Sequence, residues 1–316
     1  MTDALLPQFS NQLFLTDGGL ETTLIFQEGV ELPHFAAFVL LRTAHGRELL
    51  RRYFQRYLDI AAADGCGFIL ESPTWRSNAD WGQRLGFSVA ELAAVNRDAI
   101  AFMQELRAGA GQRTPGGPIV LSGCLGPRGD GYDPGRIMTA DEAEAYHRPQ
   151  IEAFCDAGAD MITAITYTNT HEAVGATRAA RAAQVPIVIS FTLETDGKLP
   201  TGVSLKAAIE EVDALTDRGP AYFMINCAHP THFQHALDTR EPWVQRVRGL
   251  RANASRRSHQ ELNDAVDLDA GDPVELGAEH RSLMRANPHL NVFGGCCGTD
   301  HRHVACISAA CKQADN

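Results

Sequence analysis

The sequence lacks the positive charge of proteins that bind nucleic acids or anionic membranes. Its formal net charge is −11, and no run of Lys and Arg is longer than the pair Arg256–Arg257. Such a surface would repel phosphate groups and anionic lipid head groups. We therefore exclude nucleic acid and membrane surfaces as partners and expect small molecules, while a homo-oligomer stays open.

Targeting and membrane-spanning segments are also absent from the sequence. Residues 1–7 contain no basic stretch, and no apolar run reaches the ~20 residues that a bilayer requires. We expect a cytoplasmic protein, in which the eight cysteines stay reduced. Adjacent cysteines then indicate a metal site or a reactive thiol rather than a disulfide framework.

A dinucleotide-binding motif, tandem repeats and low-complexity linkers are missing as well. No Gly-x-Gly-x-x-Gly follows a first strand, which disfavours a doubly wound sheet. Instead, short apolar runs alternate with helical patterns along the chain, as in βα units. Eight runs have the composition of strands buried on both faces: Leu13–Thr16, Phe68–Glu71, Ile119–Ser122, Met161–Ile165, Ile187–Thr192, Tyr222–Asn226, Gly249–Ala252 and Leu290–Phe293.

Eight strands with eight helices predict an α/β protein with a (β/α)₈ TIM barrel, formed by residues 1–316 as a single domain. Thr139 and Thr231 are predicted to cap two of the helices at their N-termini. Helical spacing is clearest in one apolar stripe: Leu49, Leu50, Tyr53, Phe54, Tyr57, Leu58 and Ala61.

Three cysteines follow strands at the end where barrel active sites lie. Cys227 comes directly after the sixth run, and Cys296 and Cys297 follow the eighth. Because strand ends two places apart open onto the same mouth, the three thiolates can meet one ion. Soft thiolates select zinc, copper(I) or iron–sulfur clusters, and three ligands with one open position are typical of catalytic zinc.

Glycines around the cysteine pair support this interpretation. Gly294, Gly295 and Gly298 give the backbone the freedom to turn, so that adjacent cysteines can share one metal. The remaining cysteines are expected to be small packing residues: Cys66, Cys124, Cys155, Cys306 and Cys311.

A zinc ion bound by three thiolates is a weak Lewis acid towards water, but it can still bind an incoming thiol and promote its deprotonation. The chemistry predicted is therefore alkyl transfer to a thiol. A zinc hydrolase is the alternative, because histidines flank the cysteines, yet the electron-rich Cys₃ set disfavours it. We interpret these histidines as solvent-facing helix residues: His229, His232, His235, His301 and His303.

Three motifs together resemble the homocysteine S-methyltransferase family. They are Asp17-Gly-Gly-Leu-Glu-Thr22, Asn226-Cys227 and Gly294-Gly-Cys-Cys-Gly-Thr299, and the resemblance spans nearly the whole chain. It implies a (β/α)₈ barrel in which zinc, held at Cys227, Cys296 and Cys297, activates the thiol of homocysteine for methylation to methionine. A sulfonium or quaternary ammonium compound would donate the methyl group.

The resemblance also implies residues that bind substrate. Asp17 and the backbone of Gly18 match the position that grips the amino acid end of homocysteine, whereas Glu21 and Asn226 are further candidates. The family usually has a glutamate at the end of strand four that helps to hold the ammonium group, and Ile165 stands there in this chain. A different thiol acceptor, or a non-catalytic zinc- and thiol-binding relative, are therefore the alternatives.

Aromatic side chains near strand ends are candidates for contact with a cationic methyl donor. Trp75 and Tyr167 are predicted to bind substrate, and Trp81 and Tyr222 could also supply aromatic faces. Residues Ser72–Asn78 form the best candidate wall for the donor. The polar segment Ser255–Pro273 is expected to be a long loop after the seventh strand, and loops of that kind often act as lids.

Overall fold

Eight parallel strands form a closed barrel in the computed structural model, which describes residues 6–113, 116–265 and 267–312. The strands follow one another around the barrel in chain order, and β1 pairs with both β2 and β8. The predicted α/β barrel is confirmed. The strands are β1 (Phe14–Leu15), β2 (Gly67–Glu71), β3 (Ile119–Leu125), β4 (Met161–Tyr167), β5 (Ile187–Thr192), β6 (Phe223–Asn226), β7 (Val247–Ala252) and β8 (Val292–Gly295).

All eight predicted runs become strands, and their ends differ from the prediction by up to three residues. β3 continues to Leu125 and β4 to Tyr167, because parallel pairing extends beyond the most apolar residues. β8 begins at Val292 rather than Leu290, whose amide instead bonds to the carbonyl of Asn287 in a turn. Apolar runs thus located the strands, while hydrogen bonding decided where each one ends.

Helices surround the barrel and short helices lie at its mouth. Among the described residues, no helix is both long and apolar enough to cross a membrane. The α-helices are α1 (Leu20–Thr22), α2 (Ala44–Asp64), α3 (Ala79–Arg84), α4 (Val89–Arg113), α5 (Ala140–Asp156), α6 (Thr170–Ala182), α7 (Leu205–Thr216), α8 (Pro230–Leu237), α9 (His259–Asn263), α10 (Pro273–Ala286) and α11 (His301–Lys312).

Local sequence signals account for several helix bounds. The apolar stripe predicted in α2 is buried along its whole length, and Gly65 ends the helix in a left-handed conformation with φ 66°. Thr139 caps α5 in a reciprocal arrangement with Glu142, as predicted. The prediction that Thr231 caps α8 was wrong, because His229 is the capping residue. Pro230 occupies the first helical position, where its missing N–H costs no hydrogen bond.

The barrel interior changes from apolar to polar along the strands. The lower layer is a packed cluster: Phe14, Ile69, Val120, Met161, Val188, Met224 and Val292. Two residues further along the strands, inward-facing side chains are polar and buried: Thr16, Glu71, Ser122, Thr163, Ser190, Asn226 and Arg251. Strand periodicity therefore places this polar layer between the hydrophobic core and the mouth, where it forms the floor of the site.

Candidate metal centre and active site

The sulfur atoms of Cys227, Cys296 and Cys297 lie within 4.8 Å of one another. Cys227 is buried, and the other two are half-buried at the base of the pocket in the barrel mouth. Three thiolates bound tetrahedrally to zinc at ~2.3 Å would be separated by about 3.8 Å. The donor set and its spacing therefore fit one metal ion.

Cys227 occupies a strained backbone conformation. Its φ is 53°, in the left-handed region of backbone conformation that residues other than glycine rarely adopt. Hydrogen bonds hold it there: its amide donates to the carbonyl of Arg251 at 3.2 Å, and His259 Nε2 donates to its carbonyl at 2.5 Å. Strain maintained by surrounding contacts is typical of functional sites, and here it turns the thiol towards Cys296 and Cys297.

The glycines beside the cysteine pair serve two different purposes. Gly298 has φ 79° and provides the turn expected from the sequence. Gly294 and Gly295 instead belong to β8, where a Cβ atom would stand 1.9 Å from the hydroxyls of Thr16 and Thr299, respectively. The prediction that all three glycines allow turning is thus corrected: two of them allow close approach between chain segments.

Replacing Gly298 by alanine should lower the free energy of unfolding by about 1–3 kcal/mol. The new Cβ would lie 2.7 Å from the carbonyl oxygen of Asp269, and φ would be strained as well. Urea unfolding of the metal-free protein measures the change. Gly109→Ala is the control, because its Cβ would meet nothing within 4 Å and alanine favours the helix. Equal stability of both variants would contradict the strained turn.

Hydrogen bonds among the three thiols shift their pKa values in different directions. The thiols of Cys227 and Cys296 donate to Cys297, which holds the pKa of Cys297 well below its usual value. Burial raises the pKa of Cys227. The hydroxyl of Tyr132 lies 3.2 Å from Cys297 Sγ and 3.7 Å from Cys227 Sγ, and its ring stacks on His259 at 4.0 Å. No motif or periodicity predicted a role for Tyr132, which belongs to the loop after β3.

The pocket above the sulfurs has a volume of about 460 Å³, the size of a small-molecule site. Predicted residues that line it are Asp17, Gly18, Glu21, Trp75, Asn226 and the three cysteines. Cys124 also borders the pocket, and it is buried as expected of a packing residue.

A buried arginine that the sequence analysis missed organises the pocket floor. Arg251 bonds to Asp17 at 2.6 Å and to Glu71, and all three side chains are less than one-tenth exposed. Burial raises the pKa of both carboxyl groups, and the guanidinium opposes this effect. The other oxygen of Asp17 accepts a hydrogen bond from Tyr53 at 3.0 Å. Both oxygens of Asp17 are thus already engaged.

Glu21 and Asn226 face the pocket in different ways. Burial raises the pKa of Glu21 to about 7, and its carboxylate makes no ion pair among the described residues. The side-chain oxygen of Asn226 accepts from Ser190 at 2.6 Å and from the amide of Thr166 at 3.0 Å. Its NH₂ group is left to face Cys296 Sγ at 4.0 Å, so Asn226 connects the polar layer with the metal ligands.

An irregularity in β4 overturns the prediction that Tyr167 binds substrate. The pairing register shifts between Ala164 and Tyr167, and Thr166 has φ 64°. Ile165 and Thr166 therefore both line the pocket, and Tyr167 points outwards into the core between barrel and helices. Its hydroxyl bonds to His147 at 3.3 Å. Regular alternation along the strand would have turned Tyr167 inwards.

Only one of the four aromatic candidates lines the pocket. Trp75 does so, and its indole N–H donates to Thr166 at 2.7 Å. Trp81 lies behind it, separated by the guanidinium of Arg76, and Tyr222 is buried beneath the barrel floor, where it accepts from Gln8. Phe26 and Phe35, from the long segment between β1 and β2, complete the aromatic wall.

The flanking histidines are not all solvent-facing. His229 is buried as a helix cap, and burial lowers its pKa to about 4. His303 is buried too, and bonds to Asp300 at 3.1 Å. None of the five lines the pocket, which agrees with the sequence-based preference for a site without histidine ligands.

The segment Ser255–Pro273 lies over the pocket mouth. It contains the short helix α9, capped by Ser258, and α10 begins at Pro273. Its residues in the pocket wall include Ser255, Leu262, Asn263 and Asp269. The segment therefore has the position expected of a lid, with Val266 outside the described residues.

Comparison with known protein families identifies the family of this chain. The homocysteine S-methyltransferase family matches residues 14–311, from β1 to the last helix. The chain belongs to that family. The resemblance drawn from the three sequence motifs is thus confirmed, and with it the prediction of a methyltransferase.

Individual relatives of this family member agree with the assignment. Homocysteine S-methyltransferase 4 of Zea mays is 26% identical over 323 residues, covering 95% of this chain and 90% of the maize protein. The oxidized form of the homocysteine methyltransferase MmuM from Escherichia coli has a TM-score of 0.78 at 20% identity, over 96% of this chain and 98% of that one. The metallated form has a TM-score of 0.75 at 20% identity, over 95% and 96%. These structures share the fold.

Proposed function

We propose that this chain is a zinc-dependent S-methyltransferase that transfers a methyl group from a sulfonium or quaternary ammonium donor to homocysteine, giving methionine. The observation that carries the proposal is the cluster of three sulfur atoms, within 4.8 Å of one another, at the base of a pocket of small-molecule size. Membership of the homocysteine S-methyltransferase family supports the same reaction.

Zinc is the metal that we propose for Cys227, Cys296 and Cys297. Soft thiolates favour it, and a metallated form is known for MmuM of E. coli. When bound, zinc would supply a Lewis acid that lowers the pKa of a thiol and presents it as a nucleophilic thiolate. Polar neighbours contact the three protein sulfurs, namely Asn226 beside Cys296 and Tyr132 beside both Cys297 and Cys227.

We propose that Asp17, Gly18, Glu21, Asn226 and Trp75 contact the substrates. Asp17 is held in the pocket floor together with Glu71, because the guanidinium of Arg251 bonds to both carboxyl groups. Trp75 offers an aromatic face to an onium donor, whose positive charge such rings attract. The lid segment lies over this arrangement, where it would exclude water from the methyl transfer.

We further propose that residues 1–316 form one domain, in the cytoplasm, with two small molecules as substrates. All eight cysteines are free thiols, as expected of a reducing compartment. The net charge of −11 disfavours nucleic acid and anionic membranes as partners.

Incubation of the zinc-loaded protein with homocysteine and a panel of sulfonium and quaternary ammonium donors tests the function. We expect methionine, detected by mass spectrometry, with at least one donor, and its loss after chelation followed by its return on adding zinc. Methylation of another thiol in place of homocysteine would make the acceptor wrong. No methyl transfer with any donor, while zinc stays bound, would identify a non-catalytic thiol-binding relative.

A further inference from the structure

The position that should hold the ammonium group of the acceptor is apolar in this chain. Ile165 lines the pocket at the end of β4, where the family resemblance implies a glutamate. Asp17, the other carboxylate expected to meet the ammonium, has one oxygen bonded to Arg251 and the other to Tyr53. An ammonium group would have to compete with both partners. A second carboxylate is therefore needed in the place of the one that Ile165 lacks.

Glu21 is a free carboxylate close to the metal ligands. Gly19, two residues before it, approaches the backbone of Cys296 so closely that a Cβ atom there would lie 2.5 Å from the carbonyl oxygen of Cys296. Glu21 lines the pocket, senses the charge of Cys296, and has no partner among the described residues beyond the amide of its own residue. Only two methylene groups separate the thiol of homocysteine from its α-carbon, so a thiol that reaches the cysteines places its ammonium group inside the pocket that Glu21 lines.

Arg76 supplies the opposite charge on the same pocket. Its side chain is 6% exposed and lies between the rings of Trp75 and Trp81, with its central carbon 4.1 Å and 3.9 Å from their centroids. Nη1 donates to the carbonyl of Gly129 at 2.8 Å, and Nη2 contacts the half-exposed Asp130 at 3.5 Å. Nε is buried without a hydrogen-bond partner. The guanidinium thus keeps donors that a carboxylate would satisfy.

Glu21 and Arg76 both line the pocket, and the negative charge of Glu21 favours the charged guanidinium, but the two side chains form no ion pair. A direct pair would neutralise both charges, whereas a gap between them leaves room for a ligand that carries both opposite charges. The ammonium and carboxylate groups of an α-amino acid are such a pair, held on one carbon atom. The aromatic rings that enclose Arg76 fix its position, so that the geometry of the gap is maintained without ligand.

We propose that Glu21 and Arg76 form a clamp for the zwitterionic head group of the acceptor, with Glu21 binding the ammonium and Arg76 the carboxylate. This assignment rests on the proposed function. It explains why Ile165 is compatible with an amino acid acceptor: the negative charge has moved from the end of β4 to the first turn after β1. The clamp thereby makes the pocket specific for thiols that are also α-amino acids.

Three thiol ligands test the roles of Glu21 and Arg76 independently. Homocysteine carries both groups, 4-mercaptobutyrate lacks the ammonium group, and 3-aminopropane-1-thiol lacks the carboxylate. Dissociation constants are measured on the cobalt-substituted protein by the absorption change when a thiol binds the metal. Glu21→Gln should weaken homocysteine and 3-aminopropane-1-thiol by on the order of 10- to 100-fold and leave 4-mercaptobutyrate unchanged. Arg76→Gln should weaken homocysteine and 4-mercaptobutyrate to a similar extent and leave 3-aminopropane-1-thiol unchanged.

Matched substitutions on exposed helix residues, Glu210→Gln and Arg52→Gln, should leave all three constants as in the wild type. Restoring a carboxylate by Ile165→Glu in the Glu21→Gln background should recover the preference for homocysteine over 4-mercaptobutyrate, which a merely structural role of Glu21 would not permit. The metal content of each variant is measured in parallel.

Two results would overturn the clamp. If wild-type protein binds and methylates homocysteine, but each variant weakens all three thiols equally or changes only the KM of the methyl donor, the clamp is wrong and the proposed function stands. If none of the three thiols binds to the wild-type protein, the proposed function fails and the clamp fails with it.

Discussion

Replacing Cys227 by serine should weaken metal binding by more than about 100-fold, which is the upper effect of losing a residue that merely orients a ligand. Methyl transfer should fall at least as far. Serine keeps the size of the side chain but exchanges a soft thiolate for a hydroxyl that stays protonated at neutral pH. The three sulfurs lie within 4.8 Å of one another, so removal of one leaves only the adjacent pair that follows β8. Metal analysis after dialysis and measurement of turnover test this expectation.

Cys306→Ser is the matched control for this experiment. Cys306 is half-buried in α11 and belongs to no cluster of metal-ligating residues in the described chain. The control should retain one metal ion per chain and full activity. If Cys227→Ser retains its metal as tightly as Cys306→Ser does, the three-cysteine centre is refuted.

Replacing Arg251 by methionine should destabilise the protein by about 3–5 kcal/mol, the usual cost of removing one partner from a buried ion pair. Asp17 and Glu71 would then be buried carboxylates without a cation, since Arg251 bonds to both. Urea unfolding measures the change. Arg178→Met breaks an ion pair whose Asp141 side chain is 92% exposed, and should cost less than about 1 kcal/mol.

The loss of folding stability caused by Arg251→Met should also depend on pH. Burial raises the pKa of both Asp17 and Glu71, and without the guanidinium the shift should grow. A carboxyl whose pKa is higher in the folded state than in the unfolded state destabilises the fold increasingly as pH rises from the unfolded value through the folded one. The loss should therefore be smaller near about pH 5 than near about pH 8. A loss that grows towards acidic pH would contradict this account of the pocket floor.

The sequence was sufficient for the barrel because its strands are continuous apolar runs, which parallel strands buried on both faces require. The positions of Cys227, Cys296 and Cys297 also followed, since a residue after a barrel strand must lie at the mouth. Here the covalent order of residues, together with one rule of topology, was enough to bring distant side chains together.

Features that depend on one local departure from regular geometry could not be predicted in this way. The bulge in β4 reverses the direction of Tyr167, and nothing in the residues around it differs from a regular strand. Tyr132 reaches the sulfurs from a loop, where no periodicity exists. Arg251 had a recognisable signal, namely a charged residue in an apolar run, but its two partners lie on β2 and at the end of β1, which only the closed structure brings together.

The pairing of β1 with β8 relates the assembly of the site to the order in which the barrel folds. The amide of Gly295 bonds to the carbonyl of Asp17, and the amide of Gly19 bonds to the carbonyl of Thr299, so the first and last strands build one wall together. Loop closure over nearly the whole chain is entropically the most demanding step of such a topology. The cysteines themselves depend only on neighbouring strands, because the amide of Cys227 bonds to the carbonyl of Arg251 and the amide of Cys296 bonds to the carbonyl of Ala252. A metal ion captured there would tie β6 to β8 early, whereas the wall of the pocket is completed only when β1 closes the barrel.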